Sequence, residues 1–228
     1  MPIPLYLAMT GAEFLHSQPL PPKIAWMACH FSPYGTGISN LPPELPEESL
    51  LILNDRTPVN GHDPQRVAAE MAQLAAISKC SGILLDLQHP GLAETEKIVQ
   101  AISQTAPCPV AVSEYYCQSV DCAVFLTPPL HIPLSDYLIP WKDRDIWLEA
   151  ATEEVCFTVT QAGCQVTALP CQPTDFPHRA PGAFSRYHIA VEEERIRFSF
   201  QRAREDVEAM LESAEGIQCF VGLYQQFS

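Results

Sequence analysis

The chain has 228 residues with 13 Lys+Arg against 27 Asp+Glu, a formal net charge of −14. Cations outnumbered two to one supply no clustered basic surface for phosphates, which excludes nucleic acid as a partner and disfavours an anionic membrane surface. Hydrophobic residues at 47% and charged ones at 18% mark a folded chain with a well-buried core, not a disordered one.

From the start, short apolar runs recur between Pro, Gly and Asp, at residues 4–9, 23–30, 49–54, 82–88, 109–113 and 122–126. They are continuous rather than alternating, the pattern of buried strands in a parallel sheet covered on both faces. A helix is predicted over 63–79, with Asp63 as N-cap, Pro64 at N1, and Val67, Met71, Leu74, Ala75 and Ile77 on its apolar face. A second runs from Leu92 to about Ala106, with Ile98, Val99 and Ile102 inward and Pro107 stopping it. Strand, helix, strand, helix, strand across 49–113 makes two βαβ units, hence a parallel sheet or barrel. Elsewhere the connections QPLPP and NLPPELPE are too short or proline-rich for helices. Residues 146–150, 155–160 and 165–169 read as antiparallel ribbon, and 187–191 with 195–200 as another pair around an acidic turn. A helix over 203–214 and a strand over 219–224 close the chain.

No apolar run reaches the roughly 18 residues of a membrane helix, and MPIPLYLAM lacks the basic and long apolar regions of a secretion signal. A cytoplasmic protein is expected. Nine Cys without a CxxC pair fit neither a complete disulfide framework nor a four-Cys zinc site; most are expected as small buried apolar residues. Cys117 with Cys122 and Cys156 with Cys164 are the near-neighbour pairs available for oxidation. GxGxxG and GKS/T are absent, so no nucleotide cofactor is indicated.

The stretch Cys80-Ser81-Gly82-Ile83-Leu84-Leu85-Asp86-Leu87-Gln88, directly after a helix, resembles strand four of the family 18 glycoside hydrolases, the chitinase-like barrels. In their pattern DGxDxDxE, Gly82 and Asp86 are kept, Ser81 and Leu84 replace two acids, and Gln88 stands at the catalytic Glu. The tail after residue 195 resembles the family's last strands and helix, preceded by a β-rich insertion. The resemblance implies an α/β fold, a trimmed (β/α)8 TIM-like barrel with several short or missing helices and a β-rich insertion before the last βα unit. Barrel strands one to six would occupy 1–140, the insertion 141–194, and the last strands and helix 195–228, all in one domain. It also implies a carbohydrate-like or other small-molecule ligand. Gln88, however, has no proton to give, and Thr127-Pro128-Pro129 follows the sixth strand in place of the family's Tyr-Asp, which tells against chitinase-type hydrolysis.

In any βα barrel, the C-terminal strand ends converge on one mouth. Asp86 and Glu114 are the candidate catalytic pair, as general acid and base. The alternative is that both are structural, with Glu114 pairing Arg56. His30, Asp55, Arg56, Gln88, Tyr116 and Tyr224 are the candidate ligand-binding residues. Phe31, Tyr34, Tyr115 and Trp141 join Tyr116 as aromatics suited either to stacking on a sugar face or to packing. Asn60-Gly61 reads as turn chemistry. His30, Asp55, His62 and His89 carry metal-ligand chemistry but no HxH or HExxH spacing, so no metal and no cofactor are assigned. Three readings follow: a divergent carbohydrate-binding barrel, a noncatalytic scaffold or interaction protein, and a metal-dependent hydrolase.

Overall fold

The computed structural model describes residues 3–33, 37–42, 44–56, 59, 61–89, 93–169, 171, 176–192 and 194–227. Tyr34, Asn60 and Leu92 lie outside them.

Strands β1 (Leu5–Met9), β2 (Ile24–Phe31), the short β3 (Ile38–Ser39), β4 (Leu50–Asn54), β5 (Gly82–Asp86), β6 (Val110–Ser113), β7 (Ala123–Leu126) and β8 (Ile146–Glu149) follow one another along the chain. An antiparallel insertion carries β9 (Glu153–Thr160), β10 (Gly163–Leu169), β11 (His178–Ala180), β12 (Ser185–Glu192) and β13 (Arg195–Arg202), and β14 (Ile217–Leu223) ends the sheet. Eight strands are parallel neighbours in the order β1-β14-β8-β7-β6-β5-β4-β2. β1 pairs with both β14 and β2, through Leu5↔Phe220 and Leu7↔Ile24, so the ring is closed. β3 extends it only as an antiparallel edge on β2.

The apolar runs are continuous because both faces of every strand are covered. Tyr6, Ala8, Ala25, Leu50, Ile52, Leu84, Ala111, Ala123, Trp147, Cys219 and Val221 form one buried cluster, the barrel interior. The alternate residues, Leu51, Leu53, Ile83, Leu85, Val112, Val124, Leu126, Leu148 and Phe220 among them, form a second cluster with the helices. Period-2 alternation thus divides each run between the two.

Helix α1 (Gly11–His16) follows β1, α2 (Pro64–Ser78) follows β4, and α3 (Ala93–Thr105) follows β5. Asp63 caps α2 as its sequence predicts, accepting from the Gln65 amide, and Val67, Met71 and Ala75 are buried. Ile77 is not: it is 71% exposed. After β6 and β7 come only a 3-10 turn at Cys117–Ser119 and the short α4 (Leu134–Leu138) with a second 3-10 turn. Helix α5 (Arg204–Ser213) follows β13, with Val207 and Met210 buried in the outer core, and α6 (Tyr224–Phe227) follows β14. The barrel is trimmed, and no helix among the described residues is long and apolar enough to cross a membrane.

Two segments differ from the sequence reading. Ile146–Glu149 is a barrel strand, parallel to β7 and β14, and not ribbon. Arg195–Arg202 is not a barrel strand; it lies between β9 and β12 in the five-stranded sheet β10-β9-β13-β12-β11. Its alternation of Arg with Ile and Phe is the pattern of a strand covered on one face, whereas IWLE is apolar until its last residue. Arg202, 1% exposed, pins this sheet to the barrel by donating to the carbonyls of Pro128, Pro129, Ala183 and Phe184 and to Glu153.

Candidate functional site

A cavity of about 450 Å³ opens at the carboxyl ends of the barrel strands. Its floor is apolar, from Ala8, Ile52, Leu84 and Val221, with Phe125 and Met27 on its wall. Its upper lining is polar. Asn54 ends LLILN, Asp86 ends GILLD and Glu149 ends IWLE, and Thr127 follows β7. These positions continue the inward parity of Ile52, Leu84, Phe125 and Trp147, so the strands deliver carboxylates, amide and hydroxyl to one place.

Glu149 accepts a 2.6 Å hydrogen bond from Thr127 Oγ1. Burial pushes its carboxyl above the usual range and the Asp86 charge adds to this, against the Thr127 bond and Arg202, which act to lower it. Asp86 is also shifted upward, first by burial and then by Asp55, with a Gln88 hydrogen bond opposing. Two half-buried carboxylates sharing a cavity favour states in which one keeps a proton.

Asp55 is placed differently. Its carboxylate is buried and one oxygen accepts from the backbone N–H groups of Gln88 and His89, at 3.0 and 2.9 Å. The same oxygen lies 2.8 Å from His89 Nδ1, whose ring is largely exposed. Tyr116, buried, donates from its hydroxyl to the His89 carbonyl at 2.5 Å. Asp55 and Tyr116 therefore shape the loop after β5 that presents Gln88 and His89. Arg56 lines the rim; its backbone N–H donates to Asn54 Oδ1, an Asx turn that ends β4.

Of the residues that the sequence places at the mouth, Asn54, Asp55, Arg56, Asp86, Gln88 and His89 line the cavity. Glu114 is exposed on the turn after β6, outside the lining, and forms no ion pair with Arg56. His30 lies outside the lining too, its ring bonded to the Ala28 carbonyl, as does Tyr224. Among the candidate aromatics, Phe31 is buried against His62, Tyr115 is 58% exposed, and Trp141 packs against the outer core. Phe125, not singled out by sequence, reaches the cavity. Asp55 and His89 meet, but among the described residues no three His, Cys, Asp or Glu are grouped to hold a metal ion.

Sequence reasoning missed Glu149 and Thr127 as lining groups. The signal was present as a shared spelling: an apolar run of barrel-strand length whose last inward position is polar.

The chain matches no protein-family model, no curated protein and no solved structure.

Proposed function

We propose that the barrel mouth binds a carbohydrate-like ligand, and that the chain is a divergent relative of the chitinase-like barrels in which binding outlasts the family's hydrolysis. The observation that carries this reading is the ring of Asn54, Asp86, Thr127 and Glu149 around a cavity of about 450 Å³ with Phe125 on its wall. Sugars offer hydroxyls in a ring plane and apolar C–H faces, which call for convergent hydrogen-bonding groups beside an aromatic surface. Gln88 lines the same mouth and can bond to a ligand oxygen without protonating it. The family's proton donation is therefore missing at this position, while burial pushes the carboxyls of both Glu149 and Asp86 in the same mouth above their usual range.

Calorimetric titration with chito- and cello-oligosaccharides tests this. Saturable binding to the wild type is expected, weakened about tenfold or more in Asp86→Ala, the loss of a charged hydrogen bond. Equal binding by both proteins, or none by either, would overturn the reading.

A second reading, an interaction scaffold, is favoured by the insertion. On one face of its sheet Val191, Val166, Ile189 and Ile196 are 76%, 59%, 43% and 38% exposed. Patches of exposed apolar side chains mark surfaces that meet partners.

A further inference from the structure

The barrel's opposite end carries a thiol pair. Cys80 lies between α2 and β5, and Cys108 lies between α3 and β6, flanked by Pro107 and Pro109. β5 and β6 are parallel neighbours with Ile83 opposite Val110, and the Ile83 N–H donates to the Pro109 carbonyl at 2.9 Å, fixing the two strand starts side by side. The sulfurs stand 3.7 Å apart. Cys80, 9% exposed, is buried at the margin of the outer core and Cys108 beside it is half-buried, at the barrel's base and away from the mouth. Neither pair suggested by sequence proximity behaves this way. The β9–β10 register sets Cys156 opposite Thr167 and Cys164 opposite Val159, on opposite sheet faces, and no sulfur contact joins Cys117 to Cys122.

We propose that Cys80 and Cys108 are a redox modification site, a dithiol that hydrogen peroxide converts to a disulfide bolting the start of β5 to the start of β6. The contact between the two sulfurs, in which either can be the donor, eases the ionisation of one of them. The Cys108 thiol is bonded to the Cys80 sulfur, and the backbone N–H groups of Gly82 and Cys80 add to it, which together hold Cys80 below the usual thiol range. Cys108 is pushed upward by the same contact and by burial. The Cys80 thiolate attacks one peroxide oxygen: an S–O bond forms, the O–O bond breaks, and the departing hydroxide takes a proton to become water. Cys108 sulfur then attacks the Cys80 sulfenic sulfur, its proton leaving with the displaced hydroxide as a second water. Two thiols and one peroxide give one disulfide and two waters, the two electrons passing from the sulfurs to the peroxide.

A disulfide requires the sulfurs to close from 3.7 Å to roughly 2.05 Å. The covalent loop would enclose β5 and α3, and with them Asp86 and Gln88. By the chain-entropy account, closing a loop of this size raises the melting temperature by roughly 7–14 °C in a chain of this length.

The test is peroxide treatment of the folded, reduced chain, quenching with N-ethylmaleimide before denaturation, then digestion and mass spectrometry. A Cys80–Cys108 linked peptide is expected, reversible with dithiothreitol and accompanied by a higher melting temperature. In Cys108→Ser the resolving thiol is gone, so Cys80 should stop at a sulfenic acid trapped by dimedone. Recovery of Cys80 and Cys108 as separate maleimide adducts, at a peroxide dose that oxidises the exposed Cys164, would overturn the proposal. So would linkage that appears only after denaturation. Neither result bears on ligand binding at the mouth.

Discussion

Glu149 illustrates how a single side chain records its surroundings. Its carboxyl is removed from water, hydrogen-bonded once by Thr127, and placed near the Asp86 charge. The folded chain therefore binds this proton more tightly than the unfolded chain does. Linkage then requires stability to fall as pH rises from the ordinary glutamate range through the raised folded value, and to be unaffected below that window. Glu149→Gln keeps the size and the Thr127 contact but removes the titration. We expect it to melt higher than the wild type at pH 7, by roughly 2–4 °C, the shift worth about 1 kcal/mol in a chain of this size. The difference should disappear on acidification below the glutamate range. A melting temperature lowered at pH 7 would mean that the ionised carboxylate is favourably held, contrary to the account. Asp86 was legible in the sequence because GILLD follows an unmistakable helix. Glu149 was not, because IWLE follows Asp143, Arg144 and Asp145 and precedes the alternating insertion, where a four-residue strand is easily read as ribbon.

At the scale of elements, Gly82 shows what filling the barrel demands. A Cβ there would lie 2.6 Å from the Trp147 ring and 3.2 Å from both Leu50 Cδ2 and the Pro109 carbonyl. β5 carries no side chain at this level because the indole of β8 occupies the space. Gly82→Ala should overpack the barrel base at a cost of about 1–3 kcal/mol, lowering the melting temperature by roughly 3–10 °C without altering the mouth. A variant as stable as the wild type would show that the indole has room to move. The two long helices were readable because they combine caps with 3.6-residue periodicity over several turns. Helix α1 was not, although Thr10 and Glu13 form a reciprocal capping box, with the Thr10 N–H donating to Glu13 at 2.7 Å. A six-residue helix with no buried residue has no periodicity to betray it. The insertion's sheet was legible as antiparallel, but not which strands belong to it. That is decided by Arg202 and by long-range pairing such as Phe157↔Phe198, neither of which leaves a local signature.

Across the whole molecule, the parallel βαβ core at residues 49–113 was readable, and closure of the ring was not, because it depends on β1 pairing with β14 from the other end of the chain. Closure is what turns a set of polar strand ends into a mouth. It also separates the molecule's two chemistries, the carboxylates at the top of the barrel and the thiol pair at its base. Saccharide binding at the mouth is the central proposal for this molecule. Hydrogen–deuterium exchange of the wild type, with and without a saturating chito- or cello-oligosaccharide, addresses this directly. Protection is predicted at the ends of β4, β5 and β8 and in the loops carrying Gln88 and Thr127. Protection on the exposed face of β9, β12 and β13 instead, or no protection anywhere, would contradict it.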